Sequence, residues 1–338
     1  MLLCLAVVAI SCRHRQENVK MQEFSAEELC VLEQVDRPIG EIYSMSVIND
    51  TTLLLTTESE VMRYSVSGKY MGYIGHKGRA YGEYGMPMKV RADGNSIYVW
   101  DAMGLKFLKY DSDANFIDEY QYQSALKEFI PCGDKIIIYT AGVREGNLVD
   151  IYDINNKTVV KSLTESSPAQ RVYNSVSVYP MSIDSVELYY MPCCELKLYK
   201  YDLRNGEREA CLFDVKSDSF NVPEIDDEEA LFSERSKLGE FYDETSSVMA
   251  IVPMISGFKV MTCEGVFYRK NGQRESDKKY YSVYDLDANG MVNARKVIPY
   301  DTFESKSAMN FYDGELYFLK KETAGNEESH ILFRHSFE

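Results

Sequence analysis

Residues Ile97–Asp111 read IYVWDAMGLKFLKYD, and this stretch decides the fold. Two runs rich in aromatic and β-branched residues alternate apolar and polar side chains, as half-buried strands do, and a short turn joins them. The second run ends in an aromatic residue followed by Asp, and turn-forming residues come next at Asp113–Asn115. The stretch therefore predicts a β-hairpin that leads through a second turn into a third strand.

The same unit recurs along the chain with a period of roughly 40–50 residues. Its anchor positions are Tyr64, Tyr110, Tyr152, Tyr201 and Tyr284, with Arg334 in the equivalent place of the last unit. A polar insertion, rather than a further unit, explains the longer interval after Tyr201. Strand units repeated at this period are typical of a radially repeated β architecture. We therefore predict an all-β fold, a six-bladed β-propeller with four-stranded antiparallel blades.

The first and last parts of the repeat are predicted to close the ring. The last unit ends before an outer strand is reached, and the strand-like segment Glu28–Val35 precedes the first unit. We predict that this segment pairs with Ile331–Ser336, which would remove an exposed sheet edge. The propeller would then occupy residues 26–338 as one domain, because each blade buries its faces only against its neighbours.

An acidic insertion at residues 214–247 lies between the fourth and fifth units. Within it Pro223–Gly239 is predicted to form a helix that begins at Pro, has acids in its first turn and ends at Gly. A stripe of that helix would dock it on the propeller, and its residues are Ile225, Leu231, Phe232, Arg235 and Leu238. Because insertions on a rigid scaffold often carry binding residues, Asp226–Phe232 is a candidate lid or partner surface. A decorated loop is the alternative.

The N-terminal residues indicate export and lipid attachment. Met1–Ile10 reads MLLCLAVVAI, a run too short to span a bilayer and suited to a signal peptide. Cys12 follows Ser11, and this order resembles the lipobox of bacterial lipoproteins, in which the cysteine is acylated. We predict a signal peptide at residues 1–11, a lipid anchor at Cys12 and a tether at residues 12–25. The alternatives are a signal peptide with an incidental cysteine and an apolar start with neither role.

The resemblance to a lipobox implies attachment to the outer membrane through the acyl group. In such bacteria, acidic residues directly after the cysteine tend to mark export to the cell surface. Here Arg13, His14 and Arg15 follow Cys12. The periplasmic side of the outer membrane is therefore preferred over the cell surface.

The net charge of the chain limits the classes of partner that it is expected to bind. A formal net charge of −16 disfavours binding to nucleic acid or to anionic lipid, and fits a solubility role or a cationic partner.

Six cysteines lie beyond the tether without regular spacing, so no disulfide connectivity is predicted. The adjacent Cys193 and Cys194 are predicted to be small buried or turn residues rather than ligands of one zinc ion.

Residues Gly75–Tyr84 read GHKGRAYGEY, and the strand motifs IYVWD and LKFLKYD follow. This pattern resembles the six-bladed propellers of the NHL and TolB-like group, especially the lipoproteins common in Bacteroidales. In those proteins a glycine-rich connector precedes a strand of this kind. Here Ala80 and Tyr81 replace the usual Gly-Pro, and Trp100 replaces a small residue. The resemblance implies a propeller and an extracytoplasmic location but no reaction, because many of these proteins have no assigned activity.

No catalytic motif is present in the sequence. The four histidines form no metal-binding pair, and there is no G-x-S-x-G, Walker loop or dinucleotide fingerprint. No cofactor is therefore predicted. We favour a non-catalytic binding or scaffold protein that presents one propeller face to a glycan, peptide or membrane-complex partner.

The alternative function is a calcium-assisted hydrolase or lyase, similar to a lactonase, that uses the central channel. Such a site takes carboxylate and amide oxygens from several blades as Ca²⁺ ligands. The recurring aspartates are Asp111, Asp153, Asp202 and Asp285. They stand at strand ends before turns, where a carboxylate normally caps backbone N–H groups.

The candidate ligand-binding residues lie in the connector between the first two units. They are His76, Lys77, Arg79 and Tyr81. These residues concentrate cationic and aromatic groups in an acidic protein, a combination suited to an anionic or sugar ligand. A solvated loop between blades is the alternative.

Overall fold

The computed structural model describes residues 24–35, 38–140, 146–173, 180–206, 209–270, 273–276, 278–303, 305–324 and 327–336. These residues form a six-bladed β-propeller with four-stranded antiparallel blades, which confirms the predicted fold class. Blades are numbered in chain order around a central channel. In blades 1 to 5 the strands follow one another outward from the channel.

Blades 1 to 3 contain the following strands, after the N-terminal strand β1 (Glu27–Val31). Blade 1 contains β2 (Ser44–Asn49), β3 (Thr52–Thr56), β4 (Val61–Ser65) and β5 (Tyr70–Tyr73). Blade 2 contains β6 (Pro87–Asp93), β7 (Ser96–Asp101), β8 (Lys106–Asp111) and β9 (Phe116–Gln121). Blade 3 contains β10 (Leu126–Cys132), β11 (Lys135–Thr140), β12 (Asn147–Asp153) and β13 (Thr158–Glu165). Helix α1 (Pro168–Val172) leads into blade 4.

Blades 4 to 6 complete the ring. Blade 4 contains β14 (Met181–Asp184), β15 (Glu187–Tyr190), β16 (Lys197–Asp202) and β17 (Glu209–Asp214), and helices α2 (Glu228–Ser233) and α3 (Arg235–Glu244) follow. Blade 5 contains β18 (Ser247–Met254), β19 (Gly257–Gly265), β22 (Lys279–Asp287) and β23 (Val292–Pro299), with the small hairpin β20 (Tyr268–Lys270) and β21 (Gln273–Glu275). Blade 6 contains β24 (Met309–Tyr312), β25 (Glu315–Ala324) and β26 (Glu327–Ser336), after 3₁₀ turns at Tyr300–Thr302 and Lys306–Ala308.

Strand β1 supplies the outer strand of blade 6. It pairs antiparallel with β26, so that Glu27 lies opposite Arg334 and Val31 lies opposite Ile331. Arg334 Nη2 also donates to Glu27 Oε2 at 2.6 Å. The two ends of the propeller are therefore joined by one blade, and β26 has a partner on both of its edges.

The repeated tyrosines explain why the unit recurs in the sequence. Each packs in a core cluster with residues of the preceding blade, and all five are at most 4% exposed. Tyr110 of blade 2, for example, packs with Leu54 and Val61 of blade 1, and Tyr152 of blade 3 packs with Trp100 of blade 2. Burial of one such side chain contributes roughly 1.5–3 kcal/mol. The anchors therefore stabilise the contacts between blades as well as the blades themselves.

The insertion is helical between blades 4 and 5, but the predicted bounds of its helix are wrong. The first helix begins at Glu228 because the Asp227 side chain accepts from Ala230 N at 3.0 Å and caps it. The helical path is interrupted at Glu234, and the second helix then passes through Gly239 and ends at Glu244. Gly239, which was predicted to end the helix, therefore lies inside one.

Candidate functional site

The propeller has two ends that differ in their loops. The turn face carries six two-residue turns between the first and second strands of the blades. These turns are Asp50–Thr51, Gly94–Asn95, Gly133–Asp134, Ser185–Val186, Ile255–Ser256 and Asp313–Gly314. The crossover face, at the other end, carries the connectors between blades, including the predicted connector and the acidic insertion.

The central channel opens on the turn face into a cavity of about 620 Å³. All six innermost strands line it, through residues that include Ser46, Arg91, Glu128, Ser182, Val252 and Asn310. Concave sites of several hundred Å³ with a few polar groups are typical of ligand pockets. Because every blade contributes to the wall, the cavity requires the closed ring.

A buried ion pair forms the cavity wall on the side of blades 1 to 3. Arg91 Nη2 donates to Glu128 Oε2 at 2.6 Å, and Lys89 Nζ lies 3.4 Å from the same oxygen. Arg91 Nη1 donates to Ser44 Oγ at 3.0 Å and to the Met45 carbonyl oxygen at 3.2 Å. The Glu128 side chain is 2% exposed and the Arg91 side chain 9%. One guanidinium therefore links three blades in nearly dry surroundings.

The protonation of Lys89 depends on this pair. Burial lowers the pKa of the Lys89 ammonium, and the charge of Glu128 opposes that shift. Glu128 Oε1 also accepts from Phe129 N at 3.0 Å. Glu128 thus holds two cations and one backbone amide, and its loss would leave both cations without their shared counter-ion.

Most aliphatic residues of the cavity lie on its opposite side, in blades 4 and 5. Met181 and Ile183 of blade 4 line the cavity beside Ser182 and Asp184, and Val252 and Pro253 of blade 5 line it next to them. The first strand of blade 5 continues this apolar surface to the rim, where Ile255 occupies the turn and is fully exposed. An aliphatic surface that runs from a cavity wall to an exposed rim indicates a site for an apolar group.

A second depression, of about 640 Å³, continues from the cavity across blade 6 towards blade 1. The two share Met254, Tyr312, Asp313 and Gly314. We call the cavity and this depression together the turn-face groove. Its acidic residues beyond Glu128 are Asp50, Asp184, Asp313 and Glu315, and its further basic residue, Arg334, is paired with Glu27 and Glu315. The rim of the groove therefore carries net negative charge.

The innermost strands also offer backbone groups to the groove. Strand β18 pairs with β19 on one side only, as each innermost strand does with the second strand of its blade. A free strand edge can hydrogen-bond an extended peptide. At Val47 this edge is already used, because its N–H donates to Asn310 Oδ1 at 2.9 Å.

The predicted connector residues lie at the other end of the propeller, on the crossover face. The side chains of His76, Lys77, Arg79 and Tyr81 are all exposed. Arg79 borders a depression of about 310 Å³ that Asp101 and Lys106 of blade 2 also line. The structure therefore brings the four residues together on one loop, separate from the turn-face groove.

Two of the four connector residues hold the loop in shape. His76 Nε2 lies 2.9 Å from Glu83 Oε1, and the Tyr81 hydroxyl donates to Asp118 Oδ1 at 2.8 Å. A hydrogen bond from Ala80 N, together with the His76 contact, lowers the pKa of Glu83, and the bond to Asp118 raises the pKa of Tyr81. The role of this connector in binding a ligand stays a prediction.

The acidic insertion is docked on the crossover face through both of its helices. Arg171 Nε of α1 donates to Glu228 Oε2 of α2 at 3.1 Å, and the Tyr242 hydroxyl of α3 donates to the Val172 carbonyl oxygen at 2.8 Å. Of the predicted docking stripe, Ile225, Leu231 and Leu238 pack against the core, whereas Phe232 and Arg235 are exposed. In the candidate lid Asp226–Phe232, Phe232 is 52% exposed and available for contact.

The recurring aspartates cap turns, and one prediction among them is wrong. Asp111 accepts from Asn115 N at 2.8 Å, and Asp202 accepts from Arg204 N at 2.8 Å. Hydrogen bonds of this kind lower the pKa of both carboxyls, with the Asn115 side chain the largest contributor at Asp111. In blade 5 Asp287, rather than Asp285, accepts from Asn289 N at 2.8 Å, because β22 continues two residues further.

The described part of the chain contains no group of three or more His, Cys, Asp or Glu side chains that could hold a metal ion. No helix within that part is long and apolar enough to cross a membrane. The predicted signal peptide, the lipid anchor Cys12 and most of the tether lie outside the described residues.

Sequence reasoning missed Arg91, Glu128 and Ile255. The first two occupy core-like positions of inner strands, where a charged residue that alternates with apolar ones would have suggested a partner on a neighbouring blade. Ile255 lies in VPMI at residues 252–255, an apolar run at a place where the other blades carry turn residues. That departure from the repeat was the available signal.

Two solved structures with the same architecture come from Bacteroides species. A Bacteroides fragilis protein described as exported is 14% identical, with 94% of this chain and 95% of that chain covered and a TM-score of 0.61. A DUF4221 family member from Bacteroides vulgatus is 12% identical, with 93% and 97% covered and a TM-score of 0.66. At these identities the likeness shows the fold alone.

The sequence comparisons place the chain in a family without assigning an activity. A comparison with curated proteins found no match. Residues 31–330 match the family described as Domain of unknown function (DUF4934), and they include all six blades except most of β1 and the part of β26 after His330. Because the match covers most of the sequence, the chain belongs to the DUF4934 family.

Proposed function

We propose that this protein is an extracytoplasmic binding module whose turn-face groove receives an extended peptide segment with apolar and basic side chains. The module is attached to the outer membrane through an acyl group on Cys12, as the lipobox resemblance implies, and Arg13, His14 and Arg15 after the cysteine favour the periplasmic side. The exported description of the Bacteroides fragilis protein supports an extracytoplasmic location. The observation that carries the binding role is the groove itself, with its apolar wall and exposed Ile255.

The lining of the groove favours a peptide over a glycan. The aliphatic residues in blades 4 and 5 suit apolar side chains of a peptide, whereas aromatic rings of the kind that commonly hold sugars are confined to Phe311, Tyr312 and Tyr317 of blade 6. The free edges of the innermost strands can pair with an extended backbone, as in β-strand addition. Carboxylates at the rim, such as Asp184 and Asp313, are suited to basic side chains of the ligand.

A binding screen with matched variants tests the proposal. A random-peptide phage library is selected against the purified protein, and the selected peptides are measured by calorimetry against Ile255→Asp. The matched control is Met291→Asp, because Met291 is 60% exposed on the same blade but does not line the groove. We expect selected peptides to be rich in apolar and basic residues, and their affinity to fall at least tenfold in Ile255→Asp only.

Variants at the two other candidate surfaces distinguish the alternatives. Lys77→Glu combined with Arg79→Glu reverses the charge of the connector, and Phe232→Asp removes the exposed apolar group of the lid. Binding that survives Ile255→Asp but is lost in either of these would overturn the turn-face site and assign the ligand to that surface. A library that yields no binder to the folded protein would contradict peptide recognition altogether.

A further inference from the structure

Cys193 and Cys194 occupy the centre of a tight turn between β15 and β16. Glu195 N donates to the Pro192 carbonyl oxygen at 3.2 Å and closes the turn. The two Sγ atoms lie 3.6 Å apart, and the residues are 2% and 4% exposed. Two adjacent thiols are therefore in contact at a buried position, on the crossover face of blade 4.

The backbone of this turn joins three parts of the molecule. Cys193 N donates to Tyr139 Oη of blade 3 at 2.8 Å and to Gln170 Oε1 of α1 at 2.7 Å. Val248 N of blade 5 donates to the Cys193 carbonyl oxygen at 2.7 Å. The Cys193–Cys194 peptide group carries that carbonyl oxygen and also Cys194 N, which donates to Gln170 Oε1 at 3.4 Å, so a change in its orientation would disturb bonds to α1 and to blade 5 together.

Helix α1 connects this turn to the acidic insertion through hydrogen bonds. Gln170, which accepts from Cys193, is followed by Arg171, whose Nε donates to Glu228 of α2 at 3.1 Å. Val172 then accepts from the Tyr242 hydroxyl of α3 at 2.8 Å. One short helix thus contacts the dithiol on one side and both insertion helices on the other.

We propose that Cys193 and Cys194 are a redox-modification site, at which an external disulfide converts the dithiol to a vicinal disulfide and loosens α1 and the acidic insertion. The Cys193 thiolate attacks one sulfur of the external disulfide and releases the first thiol. Cys194 then attacks Sγ of Cys193 in the mixed disulfide and releases the second thiol. The cysteine pair loses two electrons and two protons, and the external disulfide becomes two thiols.

The surroundings favour Cys193 as the first nucleophile. Burial, together with its neighbour Cys193, raises the pKa of the Cys194 thiol. A thiol that is harder to ionise is the poorer attacking group, so Cys193 is assigned the first attack and Cys194 the second.

The geometry of adjacent cysteines makes the modification reversible and disruptive. Neighbouring Cα atoms are about 3.8 Å apart, whereas ordinary disulfides join Cα atoms about 4.4–6.8 Å apart. The peptide group must therefore twist to close the ring, and the bonds to Gln170 and Val248 are the ones that this twist would weaken. Strained disulfides are more easily reduced, which suits a switch.

Mass spectrometry in glutathione buffers of graded ratio tests the site. The full chain is equilibrated with oxidised and reduced glutathione, free thiols are blocked with N-ethylmaleimide, and peptides are mapped. We expect the peptide with Cys193 and Cys194 to lose two hydrogens without retaining glutathione, and to recover on reduction. The exposed Cys211 should form only a mixed disulfide. In parallel, phenylarsine oxide should add to the reduced pair and not to the oxidised one.

Hydrogen exchange on the same samples tests the structural consequence. We expect oxidation to increase exchange in α1, α2 and α3 in the wild type and in the control Cys211→Ser. The double variant Cys193→Ser with Cys194→Ser should show no response to oxidised glutathione. If Cys193 and Cys194 stay alkylated at every ratio, or retain glutathione, the site is wrong. Disulfide formation with unchanged exchange in the three helices would overturn the link to the insertion.

Discussion

Arg91 Nη2 donates to Glu128 Oε2 at 2.6 Å across the interface between blades 2 and 3. The same guanidinium reaches blade 1 through Ser44 Oγ at 3.0 Å. One side chain therefore joins three consecutive blades at the channel wall of the turn-face groove. Because these charged groups are buried, loss of Glu128 leaves two cations without their counter-ion, and loss of Arg91 leaves Glu128 with the more distant Lys89 alone.

We expect Arg91→Met to lower the free energy of unfolding by about 3–5 kcal/mol, the range measured when one partner of a buried ion pair is removed. Urea denaturation followed by circular dichroism measures the change. The triple variant Lys89→Met, Arg91→Met and Glu128→Leu should recover much of the loss, because it removes all three buried charges. The control is Lys237→Met in the exposed Lys237–Glu234 pair, with an expected loss below about 1 kcal/mol. An Arg91→Met variant as stable as this control would contradict a structural role for the pair.

The fold could be predicted because the same pattern of strands and tyrosines recurs in the sequence. The groove could not be predicted in this way, because the residues that form it follow no repeated pattern. Tyr64 and Tyr110 recur with their flanking strands, so period and alternation together specified six blades. Arg91 and Glu128 lie on different blades, and their contact depends on how neighbouring blades twist against each other. Sequence spacing carries no information on that relationship. At Gly239 the local sequence predicted the end of a helix, but the helix continues, because Phe241 and Tyr242 beyond the glycine pack against the core.

Glu264 is expected to anchor the acidic insertion to blade 5. This carboxylate is fully buried and accepts from Arg295 Nη2 at 2.5 Å, from Tyr284 Oη at 2.6 Å and from Ser219 Oγ of the insertion at 2.8 Å. Glu264→Gln should reduce the free energy of unfolding by about 3–5 kcal/mol, because Arg295 loses its buried counter-ion. It should also speed tryptic cleavage after Lys216.

The matched control for Glu264→Gln is Asp214→Asn, which removes the carboxylate of the exposed Asp214–Lys216 pair. Urea denaturation and timed trypsin digestion of both variants provide the comparison. Equal rates of cleavage after Lys216 in Glu264→Gln and the wild type would show that the insertion is held by other contacts.

Stability should fall in mild acid through His335. Burial lowers the pKa of His335 from its usual 6.5, and the nearby Lys296 and Lys259 lower it further, although a bond with the Ser25 carbonyl oxygen opposes them. The unfolded chain then binds the proton more readily, so the contribution is fully present above about pH 6.5 and is lost as pH falls through the lower folded value. The slope is at most about 1.4 kcal/mol per pH unit for one proton.

Urea denaturation between pH 7.5 and pH 5 measures this effect. His335→Gln should flatten the dependence, whereas His76→Gln should retain it, since His76 is exposed beside Glu83. If the two variants show the same pH dependence as each other, His335 is not the group that titrates.

Calcium should leave the protein unaffected if the channel is a binding site rather than the metal centre of a hydrolase. The described residues contain no cluster of three or more potential ligands, and Asp111 and Asp202 already accept backbone N–H groups. Calorimetric titration with Ca²⁺ and the melting temperature in EDTA provide the measurement. A bound ion present at a hundred times its Kd would add about 2.7 kcal/mol of stability. A stoichiometric heat of binding with such a rise in melting temperature would favour the calcium-assisted enzyme.

Replacement of Cys12 should abolish lipid attachment. The apolar run Met1–Ile10 that precedes Ser11 and Cys12 is the pattern on which acylation is predicted, and the tether that follows would link the anchor to β1. Cells grown with an alkyne-tagged fatty acid should label the wild type but not Cys12→Ala, and the variant should leave the membrane fraction. The matched control is Cys4→Ala, which changes a cysteine of the predicted signal peptide and should keep both label and location. Fatty-acid label on Cys12→Ala, or its retention with membranes at the wild-type level, would show that the anchor lies elsewhere.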